Sequence, residues 1–166
     1  KILPQEKVSD PERRRRFIIE AKAASALNHR GIVVIHDIDE ANGVYFIAME
    51  YISGRTLQSL INGRQLSLSQ SLDYAIQIAD ALGTAHSAGV VHRDLKPSNV
   101  MVTEDHMVKI LDFGLAKLTG WQERPGASGE ESTQPPEQRT EEGMILGTLA
   151  YMSPEQARGL ELDHRT

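Results

Sequence analysis

The sequence contains no cysteine, which excludes disulfide bonds, thiolate-bound metals and a cysteine nucleophile. A reducing compartment is compatible with this absence, and we expect a cytoplasmic location. No stretch approaches the roughly 18 uninterrupted apolar residues of a membrane-spanning helix, and the first residues lack the basic-then-apolar order of a signal peptide. A basic excess is also missing, since 18 Lys and Arg stand against 23 Asp and Glu. This balance argues against a nucleic-acid-binding protein.

The 166 residues are 40% hydrophobic, which is enough apolar material for the core of one domain. The chain begins at Lys1 rather than at a methionine and stops at Thr166 without a terminating signal, which predicts an excerpt from a longer protein. We therefore expect any membrane anchor of the parent protein to lie outside this chain.

Apolar periodicity predicts two long helices. The first starts at Asp10 and Pro11, a capping carboxylate followed by a proline at the first helical position, and it is predicted to run to about Leu27. The second spans about Ser69 to Ser87, with Gly89 as its terminator. The predicted apolar face of the first helix consists of Phe17, Ala21, Ala24 and Leu27. That of the second consists of Leu72, Ala75, Ile76, Ala79, Leu82 and Ala85.

Shorter segments carry strand and turn signals. Residues 32–38 and 44–49 are rich in β-branched and aromatic types and flank the turn-forming DEANG, which predicts a hairpin. Residues 56–61 suit a short helix, and residues 90–91 suit a short strand. Residues 119–143 have Trp121 as their only large apolar side chain, so we expect this segment to be disordered.

The stretch HRDLKPSN, residues 92–99, places polar groups just ahead of a second predicted hairpin, over residues 100–111. The two ends of a hairpin lie one strand spacing apart, about 5 Å. Asn99 at its entrance is therefore predicted to face Asp112 just past its exit. A carboxamide oxygen and a carboxylate are hard ligands, which suit magnesium carrying phosphate oxygens better than zinc or copper.

Two more side chains of this loop add to that chemistry. Asp94 can accept a proton from an attacking hydroxyl, and Lys96 can neutralise charge on a transferred group. Together with the metal ligands they indicate phosphoryl transfer. On these residues alone two alternatives stay open: polar residues that only shape a turn, and a metal-dependent hydrolase that uses Asp94, Asn99 and Asp112.

Three motifs follow one another along the chain: HRDLKPSN at 92–99, DFG at 112–114 and SPE at 153–155. The last is a variant of Ala-Pro-Glu, and the order is that of a known signature set. With them the chain resembles a eukaryotic-like serine/threonine protein kinase, and it is most similar to the bacterial Hanks-type group. A hydrolase would leave DFG and SPE unexplained. The resemblance implies an α+β, protein-kinase-like two-lobe fold truncated at both ends. Residues 1–50 would belong to the small lobe and residues 51–166 to the large lobe.

The resemblance also assigns roles, with ATP and Mg²⁺ as cofactors. It makes Asp94 the catalytic base and Lys96 the phosphate-contacting lysine, a position where tyrosine kinases typically lack lysine. The metal ligands would be Asn99 and Asp112. The core spine of an active kinase would correspond to Ala24, Ile35, His92 and Phe113, with His92 in a structural role.

The same resemblance completes the nucleotide site. Lys1 in KILP is similar to the lysine that holds the α- and β-phosphates, and Glu20 would be its partner on the regulatory helix. Residues 45–52, YFIAMEYI, are similar to the last small-lobe strand and the hinge, where backbone groups meet adenine. The further cofactor-binding residues are the gatekeeper Met49, then Glu50, Ile52 and Met101.

Regulation and partners follow from the family as well. An arginine at the position of Arg93 meets a phosphate on the segment between DFG and SPE. Thr140 is the preferred site of autophosphorylation because it lies nearest the GTLAYMSPE anchor, in which Thr148 has a structural role. The other candidate acceptors are Thr119, Ser128, Ser132 and Thr133. The expected partners are protein substrates with serine or threonine acceptors.

Two interpretations of the parent protein are compatible with these residues. In the first it is an active serine/threonine kinase, because the base, the lysine and both metal ligands are all present. In the second it is a non-catalytic module that keeps the scaffold. A glycine-rich loop and Val-Ala-Ile-Lys upstream of Lys1 would favour the first. Residues 1–166 alone are expected to be marginally stable and nearly inactive, because the glycine-rich loop and later helices of the family lie outside them.

Overall fold

The structure, a computed structural model, describes residues 1–3, 11–64, 66–113, 150–158, 160 and 162–165. They fall into two units, Lys1–Thr119 and Gly120–Thr166. Several of the sequence predictions lie outside the described residues: the Asp10 cap, the Phe17 side chain, the expected disorder of residues 119–143, and the roles of Thr119, Ser128, Ser132, Thr133, Thr140 and Thr148.

The first sheet of the larger unit is a hairpin covered by a helix. Helix α1, Pro11–Ser25, begins at the predicted proline, and strands β1, Ile35–Ala41, and β2, Val44–Met49, pair antiparallel. Ala21 of the helix and Ile47 of β2 are fully buried in one cluster with Leu3. This cluster packs the helix onto the sheet.

The predicted second strand of the hairpin, residues 44–49, is confirmed as β2, whereas the first strand is offset from its predicted position. The hairpin loop is Asn42 and Gly43, which have φ angles of 52° and 78°, the left-handed pair that a two-residue hairpin turn requires. Because the turn begins at Asn42, strand β1 continues to Ala41. It starts at Ile35, so the predicted bounds of 32–38 are wrong. Residues 32–34 bond elsewhere, since Val33 N–H donates to the Ile110 carbonyl at 3.0 Å.

The first three residues form an extended segment along the free edge of β2. Leu3 N–H donates to the Tyr45 carbonyl at 2.9 Å, and Ile47 N–H donates to the Lys1 carbonyl at 2.8 Å. Ile2 makes an antiparallel bridge with Phe46 between these two bonds. Lys1 is thus fixed by backbone pairing at the edge of the sheet.

The second sheet has three antiparallel strands in the order β3-β4-β5. The predicted hairpin over 100–111 is confirmed as β4, Val100–Thr103, and β5, Val108–Ile110. Strand β3, Gly54–Thr56, was not predicted, because Gly-Arg-Thr carries no strand signal. The predicted short strand at 90–91 is absent from the structure.

Two helices follow β3. Helix α2, Leu57–Asn62, is capped by Thr56, whose hydroxyl accepts the Ser59 N–H at 3.2 Å. Helix α3, Leu68–Ser87, starts with a capping box between Ser67 and Gln70. Gly89 follows its end with a φ of 75°, as expected of a terminator.

The apolar face predicted for α3 is wrong at most of its positions. Leu72 and Ile76 are 56% and 68% exposed, whereas Tyr74, Ala81 and Ala85 are buried. The β4–β5 hairpin decides this orientation. Its turn and strand bond to Tyr74 and Gln77: the Tyr74 hydroxyl lies 2.8 Å from His106 Nδ1, and Val108 N–H donates to Gln77 Oε1 at 2.9 Å.

In the second unit, the SPE motif starts helix α4, Pro154–Arg158. Ser153 and Gln156 cap it reciprocally: Gln156 N–H donates to Ser153 Oγ and Ser153 N–H donates to Gln156 Oε1, both at 3.0 Å. Across the described parts of both units, no helix is long and apolar enough to cross a membrane.

Two glycines make a matched pair for testing the β3–β4 contact. A Cβ at Gly54 would lie 2.3 Å from the Val102 carbonyl oxygen, whereas one at Gly83, inside α3, would meet nothing within 4 Å. We predict that Gly54→Ala destabilises the protein by about 1–3 kcal/mol through overpacking. Gly83→Ala should stabilise it by about 0.5–1 kcal/mol through helix propensity. Thermal unfolding of the full-length variants measures both stability changes. If Gly54→Ala changed the stability in the same direction and by the same amount as Gly83→Ala, the close contact between β3 and β4 would be contradicted.

Candidate active site

A buried histidine holds the 92–99 loop against the hairpin. His92 is 2% exposed; its Nε2–H donates to the Leu111 carbonyl at 2.8 Å, and its Nδ1 accepts the Asp94 N–H at 3.2 Å. This pattern requires a neutral ring with its proton on Nε2, because a carbonyl only accepts and an amide only donates. Burial lowers the pKa of His92 below its ordinary value and favours that neutral form.

The other predicted spine residues share one buried cluster, which His92 contacts through Phe113. The His92 ring meets that of Phe113 edge-on, with 4.7 Å between the centroids. Phe113 belongs to the same buried cluster as Ala24 of α1, and Ile35 of β1 packs against that cluster. A continuous apolar connection thus links the helix and both sheets to the loop.

Backbone pairing places Asn99 beside the residue that precedes Asp112. Asn99 ends the 3₁₀ turn Pro97–Asn99, Val100 pairs with Ile110, and Leu111 N–H donates to the Asn99 carbonyl at 2.9 Å. The predicted convergence of the hairpin ends is therefore confirmed for the backbone. The metal-binding role of the two side chains stays a prediction.

The Asn99 side chain is oriented by Asp94. Its Nδ2 donates to the Asp94 carbonyl at 2.8 Å and to Asp94 Oδ2 at 3.0 Å. Since both partners are acceptors, a flipped amide would set oxygen against oxygen, so the orientation is fixed. Oδ1 consequently points away from Asp94, and no hydrogen bond within the described residues uses it.

Lys96 binds the same carboxylate. Its Nζ lies 2.8 Å from Asp94 Oδ2 and 3.1 Å from Oδ1, and both side chains are mostly buried. Asp94 therefore receives one ammonium and one amide, which hold its carboxylate in a single orientation. The two residues predicted as catalytic lie in direct contact.

The expected ion pair between Lys1 and Glu20 is wrong for this structure. Lys1 Nζ lies 2.5 Å from Asp112 Oδ2, and Glu20 Oε1 lies 2.9 Å from Arg93 Nη1. The carboxylates of Asp112 and Glu20 are mostly buried, so the nearest cation is attracted with little screening. The folded backbone thus decides which cation lies nearest to each carboxylate, and the linear sequence does not show this.

Arg93 and Asp112 also share an uncommon backbone conformation. Their φ angles are 66° and 59°, in the left-handed region that residues other than glycine rarely adopt. Such strain is found preferentially at functional sites. The sequence gives no signal for it, since neither residue is a glycine.

The predicted hinge follows β2. Strand β2 ends at Met49, and Glu50 N–H donates to the Val34 carbonyl at 2.9 Å. Within the described residues, the Glu50 carbonyl and the Ile52 amide take part in no backbone hydrogen bond. Met101 lies farther along, in β4 opposite Lys109 of β5.

Lys109 is a residue that sequence reasoning missed. Its Nζ lies 2.5 Å from Glu50 Oε1, which ties the hinge to β5. Nothing in the residues around Lys109 indicates a role, because a lysine on a short strand is most often only a solvated surface residue.

This combination of fold and loop matches one family. The family model described as "Protein kinase domain" matches residues 1–165, and the chain belongs to that family. The predicted protein-kinase-like α+β fold is confirmed by a solved structure, the PknI kinase domain of Mycobacterium tuberculosis. It aligns at a TM-score of 0.70 and 29% identity over 99% of this chain and 55% of that one.

Curated relatives are bacterial serine/threonine-protein kinases. The chain is 43% identical to pkn3 of Myxococcus xanthus over 173 aligned residues, covering 100% of this chain and 29% of the relative. It is 41% identical to PknA of Mycobacterium tuberculosis, covering 96% of this chain and 35% of the relative. A probable kinase of Clostridium acetobutylicum is 41% identical over 100% of this chain and 23% of its own length. The chain thus spans about a quarter to a third of these relatives.

Proposed function

We propose that the protein containing this chain transfers a phosphoryl group from ATP to serine and threonine hydroxyls of other proteins, in the cytoplasm. The observation that carries the proposal is the contact of Lys96 and Asn99 with the Asp94 carboxylate, next to the hairpin that leads into Asp112. Membership of the protein kinase family supports it, as does the similarity to bacterial proteins named as serine/threonine-protein kinases.

Asp94 acts as the general base in this proposal. Asn99 and Lys96 hold its carboxylate in place, so one carboxylate oxygen can accept the proton of the substrate hydroxyl. The hydroxyl oxygen then attacks the γ-phosphorus of ATP, and ADP leaves. Lys96 lies close enough to stabilise negative charge on the transferred group. Positioning and charge compensation are the main contributions that phosphoryl transfer requires of a protein.

The oxygen ligands at the two ends of the hairpin suit magnesium. Asn99 Oδ1 and the Asp112 carboxylate are hard oxygen ligands from the two ends of one hairpin. No group of three or more His, Asp or Glu side chains within the described residues could hold a metal. Magnesium commonly takes one or two protein ligands and completes its coordination with substrate phosphates and water, so these two ligands suit it, and bound magnesium would neutralise phosphate charge. Lys1, already at Asp112, offers an ammonium for the same phosphates.

The hinge backbone supplies the groups for adenine. The Glu50 carbonyl can accept a hydrogen bond and the Ile52 amide can donate one, and neither is used within the described part of the chain. A planar base with a donor beside an acceptor can pair with such a backbone edge. Met49 and Met101 are the proposed apolar neighbours of the base.

Autophosphorylation would act on Arg93. The guanidinium holds Glu20 in this structure, and a phosphate carries about −1.5 to −2 charge at pH 7, more than a carboxylate. A phosphate on the segment between DFG and SPE, Thr140 being the preferred site, would compete with Glu20 for Arg93.

Autophosphorylation can be checked by mass mapping. We predict that full-length protein incubated with MgATP acquires phosphate between residues 115 and 147, with Thr140 among the modified positions. The Asp94→Asn variant should remain unmodified under the same conditions, which excludes a contaminating kinase. Phosphate confined to positions outside 115–147 would contradict this regulation.

The catalytic proposal is tested by Asp94→Asn in the full-length protein. We expect kcat for phosphorylation of a protein substrate to fall about 10²–10⁴-fold, the range for loss of a general base. ATP binding should be retained because the amide is nearly isosteric. Asp105→Asn, an exposed aspartate in the β4–β5 turn, is the matched control and should leave kcat unchanged.

Two results would count against the catalytic proposal. Undiminished transfer by Asp94→Asn would remove Asp94 from the role of base. A wild-type protein that binds ATP and transfers nothing would favour the non-catalytic module.

A further inference from the structure

Lys109 and Glu50 form an ion pair between two segments 59 residues apart in sequence. Lys109 lies in the middle of β5, and its Nζ is 2.5 Å from Glu50 Oε1, just past the end of β2. Their side chains are only 19% and 25% exposed. The pair is therefore shielded from most of the solvent that weakens surface ion pairs.

The segment 32–34 closes the space around this pair. Val34 N–H donates to Glu50 Oε1 at 3.3 Å, and the Ile32 carbonyl accepts a bond from Lys109 Nζ at 3.4 Å. Glu50 N–H returns a bond to the Val34 carbonyl at 2.9 Å. The hinge residue is thus held through its main chain and its side chain at once.

The same segment also bonds to β5. Val33 N–H donates to the Ile110 carbonyl at 3.0 Å, and Ile110 N–H donates to the Gly31 carbonyl at 2.8 Å. The hinge, the segment 32–34 and strand β5 therefore form one connected unit. Lys109 is the side chain that joins its two outer members.

These two outer members carry the opposite ends of the proposed nucleotide site. Glu50 is itself a proposed adenine contact, and Asp112, a proposed metal ligand, lies three residues after Lys109. A nucleotide can span only a limited range of distances between its base and its phosphates, so the two ends of the site must lie within that range to bind it together. Pre-organised spacing of this kind contributes affinity because it lowers the ordering cost of binding.

We propose that Lys109 is a positioning residue for nucleotide recognition, which sets the spacing between the hinge and the metal-binding end of the site. The proposal rests on the proposed function, since it concerns the same nucleotide. Lys109 acts through its ion pair with Glu50 and does not itself contact the reacting atoms.

The test is Lys109→Met in the full-length protein, which keeps the length of the side chain and removes its charge. We expect the KM for ATP to rise about tenfold, as for loss of a charged hydrogen bond, while kcat at saturating ATP changes by less than about twofold. Lys109→Arg should restore most of the affinity. Lys22→Met, on the exposed side of α1, is the matched control and should leave KM unchanged.

A double-mutant cycle identifies the partner. Glu50→Gln should raise KM similarly, and the double variant should be no worse than either single variant, because both remove one interaction. Additive effects would overturn the proposal. So would a lower thermal midpoint for Lys109→Met with KM unchanged, since that result marks a purely structural role.

Binding of MgADP separates this inference from the proposed function. If the wild-type protein binds MgADP without transferring phosphate, the proposed function fails, and the affinity ratio between wild type and Lys109→Met still decides the role of Lys109. A ratio near one overturns it, and a ratio near ten supports it. If wild type binds no adenine nucleotide, both proposals fail.

Discussion

The antiparallel pairing of β4 with β5 is the constraint on which the candidate site depends. It brings the Asn99 carbonyl to the Leu111 amide at 2.9 Å and so places a carboxamide next to the residue that leads into Asp112. His92 secures the loop to the same point through the Leu111 carbonyl. If this pairing slipped by one residue, the side chains of β5 would change faces and the site would not assemble.

Charge compensation is the second feature that organises the site. Asp94, Asp112 and Glu50 each hold a lysine, and Glu20 holds Arg93. Each pair joins two segments or two positions of one loop, and each carboxylate is mostly shielded from solvent. The pairs with Asp112 and Arg93 involve groups that the proposed function gives to metal and phosphate. Nucleotide binding and autophosphorylation would therefore exchange ion pairs rather than create isolated charges.

The sequence predicted the features that local chemistry determines. The hairpin over 100–111 and the loop before it could be read from strand signals and motif order, and the α1 start from its proline. The exposed Leu72 and the Lys1–Asp112 pair could not be predicted, because both depend on how distant segments pack. Helical spacing shows that a face exists, whereas the docked hairpin decides which face is buried.

The central claim is that Asn99 and Asp112 bind magnesium together with a nucleotide. The most direct measurement is calorimetric binding of ADP to the full-length protein with and without magnesium, for wild type and Asp112→Asn. We predict that magnesium strengthens ADP binding to wild type and that this gain is lost in the variant, while binding without magnesium is retained. An equal magnesium-dependent gain in both proteins would contradict the account.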